Sequence, residues 1–107
     1  MREDVIRIVR TYIDAVQRND AENLPIHPEI VFEGPLGRYE GIAAFEQGLE
    51  DFVPVLKGIT VVHLTADNDT CAAVLEIDTI FGVIPFLEYF NVKDGKIVQE
   101  EFFYHMG

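Results

Sequence analysis

The chain has 107 residues, of which 49% are hydrophobic and 25% charged, and we expect a single globular domain over residues 1–107. Nineteen acidic residues against eight basic ones give a formal net charge of −11. Because nucleic acids and anionic membranes are bound through clustered lysine and arginine, this balance argues against both as partners.

Cysteine content and the start of the chain bear on its environment. Cys71 is the single cysteine, which excludes an internal disulfide and a cysteine-based metal cluster. Charges interrupt the first residues, so they form no apolar signal-peptide core. No uncharged stretch approaches the about 20 residues that a membrane-spanning helix needs. We therefore expect a soluble, cytoplasmic domain.

In chain order, the first predicted element is an amphipathic helix over residues 3–18, where apolar side chains recur at spacings of three and four. Pro25 and Pro28 then interrupt the pattern, and a short strand is predicted at residues 30–32. A second amphipathic helix follows Gly41.

From residue 59 the hydrophobic period changes to two, which is typical of strands. Gly82 and Pro85 mark a break between the two middle strands, and Asp94-Gly95 is a strong hairpin signal. The four predicted strands span residues 59–66, 70–81, 86–92 and 96–104. Helices followed by an antiparallel meander predict an α+β domain, with the helices packed on one face of a curved, mainly antiparallel sheet.

The segment VRTYIDAVQRND at residues 9–20 resembles the first helix of the nuclear-transport-factor-two-like superfamily, which includes ketosteroid isomerases and SnoaL-like proteins. VFEGPLG at 31–37 and YEGIAAF at 39–45 are similar to the strand, loop and second helix of that group, and the strands around 94–97 are similar too. The resemblance covers nearly the whole chain. It implies a cone-shaped α+β fold with a deep apolar pocket, commonly in a homodimer, but not one particular reaction.

Three positions can be carried over from ketosteroid isomerases. Tyr12 matches the helix-one tyrosine that donates a hydrogen bond to the developing oxyanion, and Glu88 falls where the family has its second donor, a protonated aspartic acid. Gly34 falls where the catalytic aspartate base is expected, which is a departure from the family pattern. The neighbouring Glu33 points to the opposite face if the strand is regular, whereas a bulge would redirect it.

The hydrophobic pattern around Tyr12 and Glu88 also indicates that these two residues could form a site. Phe86, Glu88 and Phe90 share one face of a predicted strand, so Glu88 either faces solvent at an edge or lies in a pocket. In a pocket, loss of hydration would raise its pKa and make it a general acid or hydrogen-bond donor. Tyr12 lies on the apolar stripe of the first helix, so its hydroxyl needs a polar partner if it is buried. The pair is either an oxyanion clamp or a core tyrosine bonded to a structural acid.

The last predicted strand supplies a candidate for the missing base. Glu100, Phe102 and Tyr104 share one face, and the resemblance around Asp94-Gly95-Lys96 implies that this face points into the pocket. The alternative for Glu100 is a solvated acid at the rim. His63 is a second candidate for moving a proton, or else a hydrogen-bonded core or interface residue. Both faces of the last strand are heavily apolar, so we expect a partner subunit to cover the outer one.

An apolar, oxygen-bearing small molecule is the expected ligand, without a metal or cofactor, since the histidines lack close metal-ligand spacing. One hypothesis is an isomerase or cyclase that transfers a proton on a carbonyl compound, and the other is a non-catalytic dimeric binding module, which Gly34 favours. An epoxide hydrolase is less favoured, because Arg38 is the only arginine beyond the first helix and is predicted to lie in a loop. The predicted pocket lining consists of Val16, Phe32, Phe45, Leu49, Phe52, Phe86, Phe90, Phe102 and Tyr104.

Overall fold

The computed structural model describes residues 2–35 and 37–104. Within these residues lie two α-helices, α1 (Arg2–Gln17) and α2 (Ile42–Phe52), and short 3₁₀ turns at Ala21–Asn23 and Val53–Val55. The strands are β1 (Ile26–Gly34), β2 (Gly37–Glu40), β3 (Leu56–Asp67), β4 (Thr70–Thr79), β5 (Gly82–Lys93) and β6 (Lys96–Tyr104).

The strands form one curved, unclosed sheet in the order β2-β1-β6-β5-β4-β3. β3 to β6 are an antiparallel meander, while β1 runs parallel to β6 and antiparallel to β2. The first strand of the chain therefore lies beside the last one. The predicted α+β fold, with helices packed on a curved and mainly antiparallel sheet, is confirmed.

Helix α1 packs on the inner face of the sheet through the apolar stripe that its sequence predicts. The helix ends where Asn19 adopts a left-handed conformation with φ 55°, and Asp20 N–H donates to the Ala15 carbonyl at 2.9 Å. The stripe and the alternate residues of β4 form much of the buried core: Val5, Val9, Tyr12, Ile13 and Val16 from α1, and Cys71, Ala73, Leu75 and Ile77 from β4. In the part of the chain that is described, no helix has the length and apolar character needed to cross a membrane.

The structure corrects the predicted extent of the first strand. β1 begins at Ile26 and continues past Pro28, because the register between β1 and β6 shifts between Ile26 and Val31 and the proline falls within that irregularity. The four-residue β2 was not predicted, and Arg38 lies on it rather than in a loop. Its residues are all exposed, so they carry no burial pattern that identifies a strand.

The turn between the two middle strands is also shorter than predicted. β4 ends at Thr79 and β5 begins at Gly82. Gly82 has a φ of 116°, which glycine adopts without steric cost. β5 then continues through Pro85, which pairs with Glu76. A proline φ near −65° is compatible with an extended strand, so Pro85 does not end this one.

Two glycines in this fold allow a matched test of packing. A Cβ at Gly34 would lie 2.8 Å from Cδ1 of Phe102 and closer still to Cε1 and Cζ, whereas a Cβ at Gly48 in α2 would meet no atom within 4 Å. We expect Gly34→Ala to lower the free energy of unfolding by about 1–3 kcal/mol through overpacking. Gly48→Ala should instead raise it by roughly 0.5–1 kcal/mol, because alanine favours a helix.

Urea unfolding of both variants and the wild type measures these two changes. A Gly34→Ala variant as stable as the wild type would contradict the close packing of Phe102 on this glycine. Restoration of stability by the additional change Phe102→Leu would show that the ring is the obstacle.

Candidate functional site

Three of the predicted site residues come together on the inner face of the sheet. Glu88 on β5 and Glu100 on β6 are 8% and 2% exposed, and Tyr12 of α1 is 6% exposed. Glu88 pairs across the strands with Phe102, and Glu100 pairs with Phe90. The two acids are therefore diagonal neighbours, a spacing that long side chains can bridge.

The three polar groups form an ordered chain of hydrogen-bonding partners. Hydrogen bonding to Tyr12 lowers the pKa of Glu100, which is the effect of a phenol donating to that carboxyl. Hydrogen bonding also couples Glu100 to Glu88, so the two carboxyls titrate as a pair. Glu100 thus lies between Tyr12 and Glu88 in this chain.

Burial is the main cause of the altered pKa values at this site. Loss of hydration raises the pKa of both carboxyls, and the charge of Glu88 raises that of Glu100 further, well above its usual range. Burial, followed by the charges of Glu100 and Glu88, also raises the pKa of Tyr12 well above its usual value. The two carboxyls therefore share a proton as a pair above the usual carboxyl range, and Tyr12 keeps its own proton.

Each carboxyl also keeps one oxygen without a partner. Oε2 of Glu88 and Oε1 of Glu100 are buried and accept no hydrogen bond from the described residues. No basic side chain lowers the pKa of either acid within that part of the chain. Because a buried polar atom without a partner costs about 1–3 kcal/mol, these two oxygens are candidates for contact with a ligand.

Aromatic rings surround the polar chain. The ring of Tyr12 meets that of Phe90 nearly edge-on at 5.7 Å between centroids, and Phe45 at 6.2 Å. Phe45 lies 5.7 Å from Phe32, which in turn lies 5.0 Å from Phe102. These rings give the acids an apolar environment, which is the physical cause of their raised pKa values.

The residues predicted to line a pocket lie within or beside the core on this side of the sheet. Val16, Phe45 and Phe90 are buried. The half-buried members are Phe32, Leu49, Phe52, Phe86, Phe102 and Tyr104. The rings of Phe86 and Tyr104 lie 5.7 Å apart, so the aromatic packing continues to the end of β6.

Phe102 explains why glycine occupies position 34. Gly34 does not have a positive φ, so the residue is needed for space and not for its backbone conformation. The Phe102 ring occupies the volume that any side chain at position 34 would enter. An aspartate at position 34 is therefore sterically incompatible with this arrangement of Phe102.

The structure places the remaining candidates elsewhere. His63 is exposed on the outer face opposite Val74, because β3 has a register shift between Val61 and His63 that turns His63 away from the inner face. The Glu33 side chain is 46% exposed, and its Oε2 lies 3.9 Å from Nη1 of Arg38. Over residues 2–35 and 37–104, no group of three His, Cys, Asp or Glu side chains is placed to hold a metal ion.

Sequence reasoning missed two features of the site: the coupling of the two acids to each other and the position of the Phe102 ring. The acids are twelve residues apart in the sequence, and no pattern shows that their side chains meet. An open cleft of about 560 Å³ between the outer side of α1 and Val61 of β3 was not predicted either. It does not include Tyr12, Glu88 or Glu100, so it is separate from the acid pair.

The raised pKa values predict how stability depends on pH. The folded state retains a proton on Glu100 above the unfolded-state carboxyl pKa of about 4.3, so it binds more protons than the unfolded state there. The free energy of unfolding should therefore fall as pH rises from about 4.3 through the folded-state pKa. Glu100→Gln removes this loss and should stabilise the protein at pH 7 by on the order of 1 kcal/mol or more.

Chemical denaturation between pH 4 and pH 8 tests this expectation. Glu46→Gln is the matched control, since it removes an exposed charge from α2. Its free energy of unfolding should change with pH in the same way as that of the wild type. If the free energy of unfolding of Glu100→Gln also followed the wild type across this pH range, the buried acid would not titrate differently on folding.

Comparisons with known proteins agree with this fold. The structure matches a proposed ketosteroid isomerase from Kribbella flavida with a TM-score of 0.92 at 19% identity, covering 99% of this chain and 81% of that one. It also matches a proposed polyketide cyclase from Sinorhizobium meliloti with a TM-score of 0.83 at 24% identity, covering 90% and 93% of the two chains. An LEH-like epoxide hydrolase from M. tuberculosis matches with a TM-score of 0.86 at 18% identity, covering 97% and 84%.

These likenesses concern the fold alone, because all three identities are below 25%. No curated protein matches the chain in sequence. The resemblance that the sequence showed to SnoaL-like and ketosteroid-isomerase-like proteins is confirmed. A family model of the SnoaL-like domain matches residues 9–100, and the chain belongs to that family.

Proposed function

We propose that the chain binds an apolar, oxygen-bearing small molecule at the inner face of the sheet and transfers a proton on it without a cofactor. Two buried carboxyl oxygens without a hydrogen-bond partner carry this proposal: Oε2 of Glu88 and Oε1 of Glu100. They belong to the acid pair that interacts with Tyr12. The substrate class is a carbonyl compound, and the reaction class is isomerisation or cyclisation.

In this proposal Glu88 is the base and Glu100 the acid of the coupled pair. The Glu88 carboxylate takes a proton from the carbon beside the substrate carbonyl, and the electron pair of that C–H bond forms an enolate. Glu100 and Tyr12 turn their O–H groups away from their partners in the ligand-free site and donate hydrogen bonds to the enolate oxygen. Glu88 then returns the proton to another carbon. This assignment exchanges the roles that the sequence suggested for Glu88 and Glu100, and it leaves His63 out.

The names of the structural neighbours support the reaction class. A proposed ketosteroid isomerase and a proposed polyketide cyclase share this fold, and both names describe chemistry on carbonyl compounds. An epoxide hydrolase also shares it. Hydrolysis is less favoured for this chain, because the exposed Arg38 pairs with Glu40 and Glu33 instead of the buried acids.

The alternative is a binding module without catalysis. It is favoured by the packing of Phe102 on Gly34 and by the stacked contact of Phe102 with Phe86 at 5.5 Å, which fill this side of the molecule with rings. A module of this kind would bind an apolar ligand and leave its protons in place.

A proton-exchange measurement distinguishes the two functions. We expect the wild type to catalyse exchange of solvent deuterium into the position beside the carbonyl of a cyclic enone, followed by NMR. Glu88→Gln should lower the rate by roughly 100-fold or more, because it removes the base. Tyr12→Phe should lower it by about tenfold, because it removes one hydrogen bond to the enolate.

Glu76→Gln is the control, since this acid is exposed on the outer face of β4 and should leave the rate unchanged. Binding of 2-naphthol, a planar phenol, is measured on the same variants by fluorescence. Binding that depends on Tyr12 without any exchange would support the binding module. Exchange that is unaffected by Glu88→Gln would contradict the assigned base.

We also propose that the chain forms a homodimer through the outer face of the sheet. One row of residues crosses four strands there, because His63 pairs with Val74, Val74 with Leu87, and Leu87 with Phe103. Leu87 and Phe103 are 45% and 52% exposed. A second copy is the favoured occupant, because an apolar row that spans a sheet can pair with itself about a two-fold axis.

Sedimentation velocity tests the proposed interface. The wild type should sediment as a dimer, and Leu87→Asp should weaken the association at least tenfold, because it buries a charge in an apolar contact. Ile42→Asp is the matched control: Ile42 is also an exposed apolar residue but lies at the start of α2. A monomeric wild type, or a Leu87→Asp variant that remains dimeric, would contradict the interface.

A further inference from the structure

The ring of Phe102 occupies a defined position beside the acid pair. Phe102 and Glu88 are paired directly across β5 and β6, so both side chains leave the inner face at the same level. Glu100 precedes Phe102 by two residues and lies on the same face. The ring is therefore an immediate neighbour of both acids within the sheet.

Gly34 and two aromatic rings fix this position from other sides. The backbone of Gly34 lies so close to the ring that a Cβ there would approach Cδ1 of Phe102 to 2.8 Å. The ring of Phe86 stacks on Phe102 with an interplanar angle of 13°, and that of Phe32 is 5.0 Å away. The sequence thus leaves out a side chain at position 34 and gives that volume to the ring.

Exposure identifies which of these groups meets solvent. Glu88 and Glu100 are buried, whereas Phe102 and its neighbours Phe32 and Phe86 are half-buried. A molecule that approaches the acids from this side meets Phe102 and these two rings before the carboxyl oxygens. Because interiors are close-packed, such a molecule needs the volume that one of the rings now occupies.

We propose that Phe102 is the specificity-determining residue of this site: its ring closes the acid pair, and its size limits which ligand reaches Oε2 of Glu88 and Oε1 of Glu100. This inference rests on the proposed function, because it takes the acid pair as the place of binding. It adds that the ligand binds against this ring and that the size of the ring sets the room left for the ligand. A smaller residue at position 102 admits a larger planar ligand.

Binding of two fluorescent phenols of different size tests this inference. The wild type and the variants Phe102→Ala and Phe102→Leu are titrated with 2-naphthol, which has two fused rings, and 1-hydroxypyrene, which has four. We expect Phe102→Ala to bind 1-hydroxypyrene roughly tenfold tighter than the wild type does, because the added volume removes a steric penalty. Phe102→Leu should show an intermediate gain and retains more of the packing, so it serves if the alanine variant does not fold.

Phe81→Ala is the matched control, since it removes the same ring from the tip of the hairpin between β4 and β5, where Phe81 is 79% exposed. It should leave both affinities unchanged. Adding Tyr12→Phe to Phe102→Ala should abolish the gain for 1-hydroxypyrene if the phenol binds at the acid pair. A gain that persists in this double variant would overturn the inference, because the probe would then bind elsewhere.

The outcomes separate this inference from the proposed function. If 2-naphthol binding depends on Tyr12 and Glu88 but neither probe responds to the residue at position 102, Phe102 does not determine specificity and the proposed site stands. If binding depends on none of the three residues, both proposals are wrong. If 1-hydroxypyrene binds only when residue 102 is small and Tyr12 is present, the ring closes the site as proposed.

Discussion

The burial of two carboxyl groups without a basic partner constrains this side of the molecule. Glu88 and Glu100 are withdrawn from water by β5 and β6, and no basic side chain of the described residues compensates them. Loss of hydration raises the pKa of both carboxyls, so the pair retains a proton above the usual carboxyl range, and Tyr12 donates to Glu100. The surrounding aromatic rings sustain this state, because they hold the local polarity low.

Strand order places this polar chain under the first helix. Because β1 lies beside β6, the glycine at the end of β1 meets the inner face of the last strand, and the Phe102 ring fills the space above Gly34. A side chain at position 34 would clash with the ring in its present position. An aspartate at that position would therefore require the ring of Phe102 to move.

Strand alternation also fixes which side chains lie on the outer face of the same sheet. Alternation along β5 and β6 sends Leu87 and Phe103 outward whenever Glu88 and Phe102 point inward, so the two faces cannot be changed independently of register. A shift in β3 adds His63 to the outer row and removes it from the vicinity of the acids. The inner face carries the proposed chemistry, and the outer face carries the proposed self-association.

By itself the sequence left open whether Glu88 and Glu100 are buried, but it determined the α+β class, both helices and the four long strands of the meander. Periodicity specifies these features, because it records which face of an element is buried. Sequence reasoning failed at β2, at the path of β1 past Pro28 and at His63, where short exposed strands and register shifts leave no periodic signal. Only the tertiary structure decided that Glu88 and Glu100 are buried as a pair beside Tyr12 and that Phe102 occupies the space at position 34. Both facts depend on which side chains meet across distant strands. Burial and steric contact of that kind arise only when the strands pair and the helices pack on the sheet.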